Sequence, residues 1–212
     1  MKAIKPLMIN GFEIHKGFLS RADQAKVVQS LRHVVSQAPL VSPVTPSGKP
    51  MTVRQTSAGK LGWVTDTSGY RYQATHPNGT PWPAVPSQIT AIWQEVTQCM
   101  RAPDSCLVNF YTEHAKMGLH QDKDEGNFDF PVVSISLGDD ALFRMGHVER
   151  GGKTESIWLS SGDVVVMGGA ARLAYHGIDK LRFGSSGLLT QGGRVNVTLR
   201  VVDQGASEQQ PS

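Results

Sequence analysis

His120-Gln121-Asp122 sets an imidazole and a carboxylate two residues apart, and on extended backbone that spacing sends both side chains to one face. Two ligands can then share one metal ion. His176 offers a third donor more than fifty residues later, inside the run RLAYHGI. Two histidines and a carboxylate on one face of a coordination sphere leave open positions, which suits non-haem iron(II) oxygen chemistry. Zinc accepts the same donors, so the triad alone leaves the metal open.

A second constellation lies near the C-terminus. In GGRVNVTLRVV, Val195, Val197, Leu199 and Val201 alternate with Arg194, Asn196, Thr198 and Arg200, the period of a strand with one apolar and one polar face. If the apolar face packs against helices, the arginines point into the fold, where unpaired cations are costly and call for an anion. A wet outer strand is the plain alternative. A doubly charged acid chelating a buried metal would account for both constellations at once. The run CLVNFY has the same parity, with Leu107, Asn109 and Tyr111 on one face.

The positioning elements follow from periodicity. Residues 20–38 read as a helix, with Ser20 as N-cap, Asp23 at N3, Val27, Leu31, Val34, Val35 and Ala38 in one stripe, and Pro39 as the stop. A second helix starts near Pro86-Ser87 and carries Ile89, Ile92, Trp93, Val96 and Met100. Between them, residues 39–83 combine Pro, Gly, Ser and Thr with Trp63, Tyr70, Tyr72 and Trp82, a composition that suits a functional loop more than a plain linker. From residue 106 short β-type runs alternate with turns: CLVNFY, PVVSISL, ALFRM, SIWL, DVVVM, RLAYHGI and RVNVTLRVV. That rhythm belongs to a sandwich or barrel. The expected class is mainly β with flanking helices (α+β), one domain over 1–203 with a β core at 106–202, and a disordered tail at 204–212.

A chain of 212 residues is long enough to bury an ordinary core. Its 21 Lys+Arg against 18 Asp+Glu tolerate a polyanion without announcing one, and the candidate phosphate contacts Lys116, Lys123, Arg144, Arg150, Lys153 and Arg172 are scattered. Two cysteines, Cys99 and Cys106, read as buried thiols in a reducing compartment. With no apolar run long enough for a signal peptide or a bilayer span, the expectation is a cytoplasmic protein with no membrane partner.

The blocks NFY, KMGLHQDKDE, DVVVMGG, LAYHGI and RVNVTLR occur in an order and at a spacing that resemble the AlkB family of Fe(II)- and 2-oxoglutarate-dependent dioxygenases. The resemblance runs from about Val53 to Val201. It implies a double-stranded β-helix (jelly roll) with an N-terminal substrate lid at about 39–83. It implies His120, Asp122 and His176 as iron ligands, and a 2-oxoglutarate site using Leu107, Asn109, Tyr111, Arg194, Asn196 and Arg200. Arg194 would hold the distal carboxylate and Arg200 would sit nearer the metal. By the same resemblance Trp63 stacks on a flipped base opposite His120, Tyr70 and Tyr72 line the lid, Asp124 accepts from an exocyclic amino group, and Arg150 lies near the substrate. Lys123, of opposite parity, points outwards.

The implied reaction is oxidative dealkylation of bases such as 1-methyladenine and 3-methylcytosine, consuming O2 and 2-oxoglutarate and releasing formaldehyde, succinate and CO2. The implied role is DNA repair. The partner would be alkylated DNA, single-stranded by preference with duplex DNA or RNA as alternatives, met by a monomer. Phe110-Tyr111 and the turn Glu125-Gly126-Asn127-Phe128 depart from close relatives and bear on substrate choice. The rival expectations are an oxygenase acting on a protein or small molecule, a cupin-like metal-binding module, and a nucleic-acid-binding protein that has lost catalysis.

Overall fold

The computed structural model describes residues 5–202, so the expected tail at 204–212 lies outside the described residues. The elements in chain order are β1 (Leu7–Ile9), β2 (Phe12–His15), α1 (Arg21–Gln37), β3 (Val53–Gly59), β4 (Gly62–Asp66), β5 (Gly69–Gln73), α2 (Ser87–Thr97), β6 (Ser105–Tyr111), β7 (Met117–His120), β8 (Val132–Gly138), β9 (Asp140–Met145), β10 (Glu155–Leu159), β11 (Val164–Met167), β12 (His176–Arg182) and β13 (Arg194–Arg200). Seven strands form one sheet in the order β1-β2-β11-β8-β13-β6-β3, four form a second in the order β10-β9-β12-β7, and β4-β5 make a separate ribbon. The two larger sheets are the halves of the jelly roll.

Helices and large sheet meet as the strand alternation requires. Val197, Leu199 and Val201 share one apolar cluster with Val27, Leu31 and Val34 of α1 and Ile89, Ile92 and Trp93 of α2. The opposite parity, Arg194, Asn196, Thr198 and Arg200, is buried on the inner side. The wet-strand alternative is thereby excluded. A second cluster, including Phe12, Ile14, Tyr111, Phe143, Met145 and Ile178, fills the space between the sheets.

Helix α1 has the expected N-cap, with Ser20 Oγ accepting from the Asp23 amide at 3.2 Å. Helix α2 ends earlier than its stripe suggests: Gln98 adopts φ 53°, which breaks the helix, and Met100 beyond it is 99% exposed rather than part of the core. Strand β12 begins only at His176, because Gly169–Ala171 form a short 3-10 turn within the reach of the DVVVMGG and RLAYHGI runs. Cys106 is buried, whereas Cys99 is only partly so.

The 39–83 segment is less loop-like than its composition. Its β3 lies at the edge of the large sheet, paired residue for residue with β6, and the β4-β5 ribbon forms a separate two-stranded sheet. The N-terminal hairpin β1-β2 escaped the periodicity reading as well. Its signal was present in Asn10-Gly11, which adopt φ 50° and 81°, the pair of left-handed residues a two-residue hairpin turn demands. Among the described residues no helix is long and apolar enough to cross a membrane.

Candidate active site

Strand pairing brings His120 and His176 together. They are cross-strand partners at the start of the β7-β12 ladder, with ring centres 4.6 Å apart. Asp122 follows just beyond β7, and one potential donor atom from each of the three lies within 4.8 Å of the others. Gly177 permits the approach: a β-carbon there would meet the Met117 carbonyl oxygen at 2.6 Å and that of Gly118 at 2.8 Å.

The tautomers of both rings follow from their backbone partners. Nδ1 of His120 lies 2.9 Å from the Gly118 carbonyl and Nδ1 of His176 lies 3.0 Å from that of Ala174. A carbonyl only accepts, so each Nδ1 carries the proton and each Nε2 keeps its lone pair. Both Nε2 atoms face Asp122, at 3.8 Å from its carboxylate oxygens. Burial, reinforced by neighbouring His120, lowers the His176 pKa to about 4, which keeps that ring neutral. Burial opposes the Asp122 charge, but the Arg200 guanidinium and the two imidazoles overcome it and hold the carboxyl well below its usual range. Two imidazoles and one carboxylate converging on one point, each ring oriented by its second nitrogen, fit a divalent metal.

A buried network braces this corner. Arg200 Nη2 pairs with Asp122 at 2.9 Å and its Nε with Glu125 at 3.2 Å. Arg172 donates to the backbone carbonyl of Asp122 at 2.7 Å, to Glu125 at 3.0 Å and to the Phe130 carbonyl at 2.8 Å, with the Phe128 ring 5.1 Å away. Arg172, scattered among surface cations by sequence, is 4% exposed and belongs here. Glu125, which the sequence offered only as the start of the turn Glu125-Gly126-Asn127-Phe128, bridges two guanidiniums and accepts from the Tyr72 hydroxyl at 2.5 Å. Neither role has a sequence signal, because one residue number says nothing about which charge lies opposite.

The opposite end of β13 is arranged differently. Arg194, 1% exposed, stands beside Tyr111 as its register partner, 5.2 Å from the ring centre, and donates to Ser136 Oγ at 3.0 Å. Its Nε and Nη1 lack hydrogen-bond partners, and no carboxylate among the described residues pairs with it. Burial accordingly lowers its pKa. Asn109 and Asn196 face each other across the same ladder, and Asn109 Oδ1 is also without a partner. The Arg194 donors, buried without an anion, are expensive, and a dicarboxylate lying between the metal corner and Arg194 would satisfy them, whereas the Asn109 oxygen is an acceptor and needs a donor.

These groups open on a cavity of about 520 Å³. Its wall includes the three candidate ligands with Leu107, Asn109, Tyr111, Asn196 and Arg200, and at the mouth Trp63, Tyr70, Tyr72, Asp124 and Arg150. Arg194 sits behind Tyr111 and is not on the wall. Trp63 stacks on Tyr70 with ring centres 5.6 Å apart and planes 19° from parallel, and its Nε1 donates to Asp124 at 2.7 Å. Lys123 is exposed at the rim. Arg144, another of the scattered cations, is tied to Asp179 at 3.2 Å.

Residues 11–200 match the model of the 2OG-Fe(II) oxygenase superfamily. An alpha-ketoglutarate-dependent dioxygenase AlkB homolog of Caulobacter vibrioides is 48% identical over 198 residues, covering 92% of this chain and 90% of that protein. The DNA N(6)-methyladenine demethylase ALKBH1C of Arabidopsis thaliana is 31% identical, with 90% of this chain and 48% of that one covered. The solved structure of OsALKBH1 superposes with a TM-score of 0.80 at 30% identity, over 92% of this chain and 98% of its own.

Proposed function

The chain belongs to the 2OG-Fe(II) oxygenase superfamily and to its AlkB branch, and we propose that it removes alkyl groups oxidatively from nucleobases such as 1-methyladenine and 3-methylcytosine in nucleic acid. The observation that carries this reading is one cavity with a metal corner in its wall and flat side chains at its mouth, with a buried arginine that has no carboxylate partner behind Tyr111.

Iron(II), when held by His120, Asp122 and His176, supplies oxygen activation coupled to 2-oxoglutarate decarboxylation. The chain's own residues do the rest. Arg194 would take the distal carboxylate, to which its unsatisfied Nε and Nη1 donors are available. Tyr111, Asn109 and Asn196 would line the cosubstrate, Leu107 would pack on it, and Arg200 would fix the metal-side end while holding Asp122. Trp63 offers a ring for the extruded base, with His120 across the slot, since chemistry on a base requires it outside the stack. Asp124 accepts from an amino group at the base edge, Tyr70 and Tyr72 close the lid, and Arg150 stands where a phosphate or base edge would pass. Hydroxylation of an N-methyl carbon gives a hemiaminal that collapses to formaldehyde and the restored base.

The partner proposed is single-stranded alkylated DNA, because the half-exposed mouth needs no strand separation there, with RNA as the alternative polymer. The role proposed is DNA repair by a cytoplasmic monomer, one catalytic domain spanning 1–203. The test is succinate and formaldehyde release by the iron(II)-loaded protein with 2-oxoglutarate, on single strands carrying 1-methyladenine or 3-methylcytosine and on unmodified ones. Both products should rise only with methylated strands. Succinate that ignores every methylated base would overturn the substrate and leave the oxygenase.

A further inference from the structure

Trp63 and Tyr72 are register partners across the β4-β5 ribbon, and each reaches an acidic residue of the segment after β7. The indole Nε1–H donates to Asp124 Oδ2 and the Tyr72 hydroxyl to Glu125 Oε1. The two acceptors are neighbours in sequence and opposites in surroundings. Glu125 is buried, with one oxygen bonded to Arg172 and the other shared by Arg200 and Tyr72. Asp124 is exposed. Among the described residues the Trp63 N–H is the one hydrogen bond its side chain receives, leaving Oδ1 without a protein donor, and Asp124 lines the cavity.

An exposed aspartate samples several rotamers, and a carboxylate that swings freely reads little. Tethering one of its oxygens changes that. The tether is itself held, because the indole lies nearly parallel to Tyr70 on a two-stranded ribbon. With Oδ2 fixed, the direction of Oδ1 is fixed too. An ionised carboxylate only accepts. An exocyclic amino group on an extruded base can satisfy it, whereas a keto oxygen at the same edge would leave two acceptors facing each other, unpaired and partly desolvated.

We propose that Trp63, apart from offering a stacking ring, is a positioning residue whose indole N–H aims Asp124, the acceptor assigned above to the amino group of the base. This rests on the base-dealkylation reading above.

The test compares kcat/KM of the iron(II)- and 2-oxoglutarate-loaded protein on otherwise identical single strands. Each strand carries one amino-edged base (1-methyladenine or 3-methylcytosine) or one keto-edged base with no exocyclic amino group (1-methylhypoxanthine or 3-methylthymine). The proteins are the wild type, Trp63→Phe, Asp124→Asn and the double variant, and affinities for the same strands are measured with oxygen excluded. Phenylalanine keeps a flat ring and loses only the donor. The amino-over-keto ratio should fall about tenfold in Trp63→Phe, the scale of one hydrogen bond to a charged group. In the Asp124→Asn background the same change should leave the ratio where Asp124→Asn put it, since residues acting through one contact are not additive.

A Trp63→Phe variant that lowers all four substrates equally would show that the ring only stacks, overturning the positioning role while the base reading stands. Equal and additive effects in both backgrounds would overturn it too. Should the wild type form succinate yet release formaldehyde from none of the four, the base reading falls and the proposal with it.

Discussion

The metal corner and the lid ribbon meet at Asp124 and Glu125, yet they are built on opposite terms. The corner is buried and redundantly braced: Asp122 is held through its side chain by Arg200 and through its backbone by Arg172, and each imidazole is oriented by a carbonyl. The ribbon reaches the corner through two hydrogen bonds from half-buried or exposed aromatics. Buried charge networks tolerate little change, whereas a thinly attached ribbon can be altered at small cost. On the function proposed above, the difference would give oxygen chemistry to the part that tolerates little change and substrate choice to the part that tolerates more.

Breaking the corner should have the largest effect. His176→Ala removes one of three metal donors, and iron-dependent succinate formation should vanish on every substrate; turnover at the wild-type rate would remove His176 from the ligand set. Arg172→Ala comes next, because it leaves Glu125 buried with one of its two carboxylate oxygens stripped of its partner. Removing one member of a buried pair costs about 3–5 kcal/mol, so we expect a clear drop in the denaturant midpoint together with weaker iron binding. A midpoint within experimental scatter of the wild type would contradict the bracing role.

Thiol alkylation sharpens the same contrast without a variant. Burial raises the Cys106 thiol to about 12; it is protonated below that pH, and reagent reaches it only through opening. At pH 8.5 its alkylation should trail that of half-buried Cys99 by about a hundredfold or more, and equal rates would mean the core under β13 opens readily. The smallest effect belongs to the lid. Trp63→Ala should weaken methylated single strands by about tenfold, within the range of base stacking on an aromatic ring, and leave iron affinity unchanged.

How much of this was legible depended on whether a signal is local. The β13 alternation carried its own period, so both the outward valines and the inward arginines could be read, and the Ser20 cap and Pro39 stop bounded α1. His120 and Asp122 were legible as a pair, while their meeting with His176 rested on family resemblance, since pairing between β7 and β12 is set by topology. Arg172 and Glu125 were misplaced for the same reason: their burial comes from strands distant in sequence. Met100 followed the stripe of α2, but a left-handed Gln98 ended that helix first. Within 39–83, polar β3 read as loop because its Gln55, Thr56 and Ser57 are buried against β6, where burial and not hydrophobicity decides the pairing.

The central claim, that corner and lid divide chemistry from choice, is tested most directly by the ratio of formaldehyde released to succinate formed on a 3-methylcytosine single strand, in the wild type and in Trp63→Ala. The account predicts a ratio near one in the wild type, and a fall in the variant while succinate formation continues. A ratio that stays near one in the variant, or succinate and formaldehyde lost together, would contradict it.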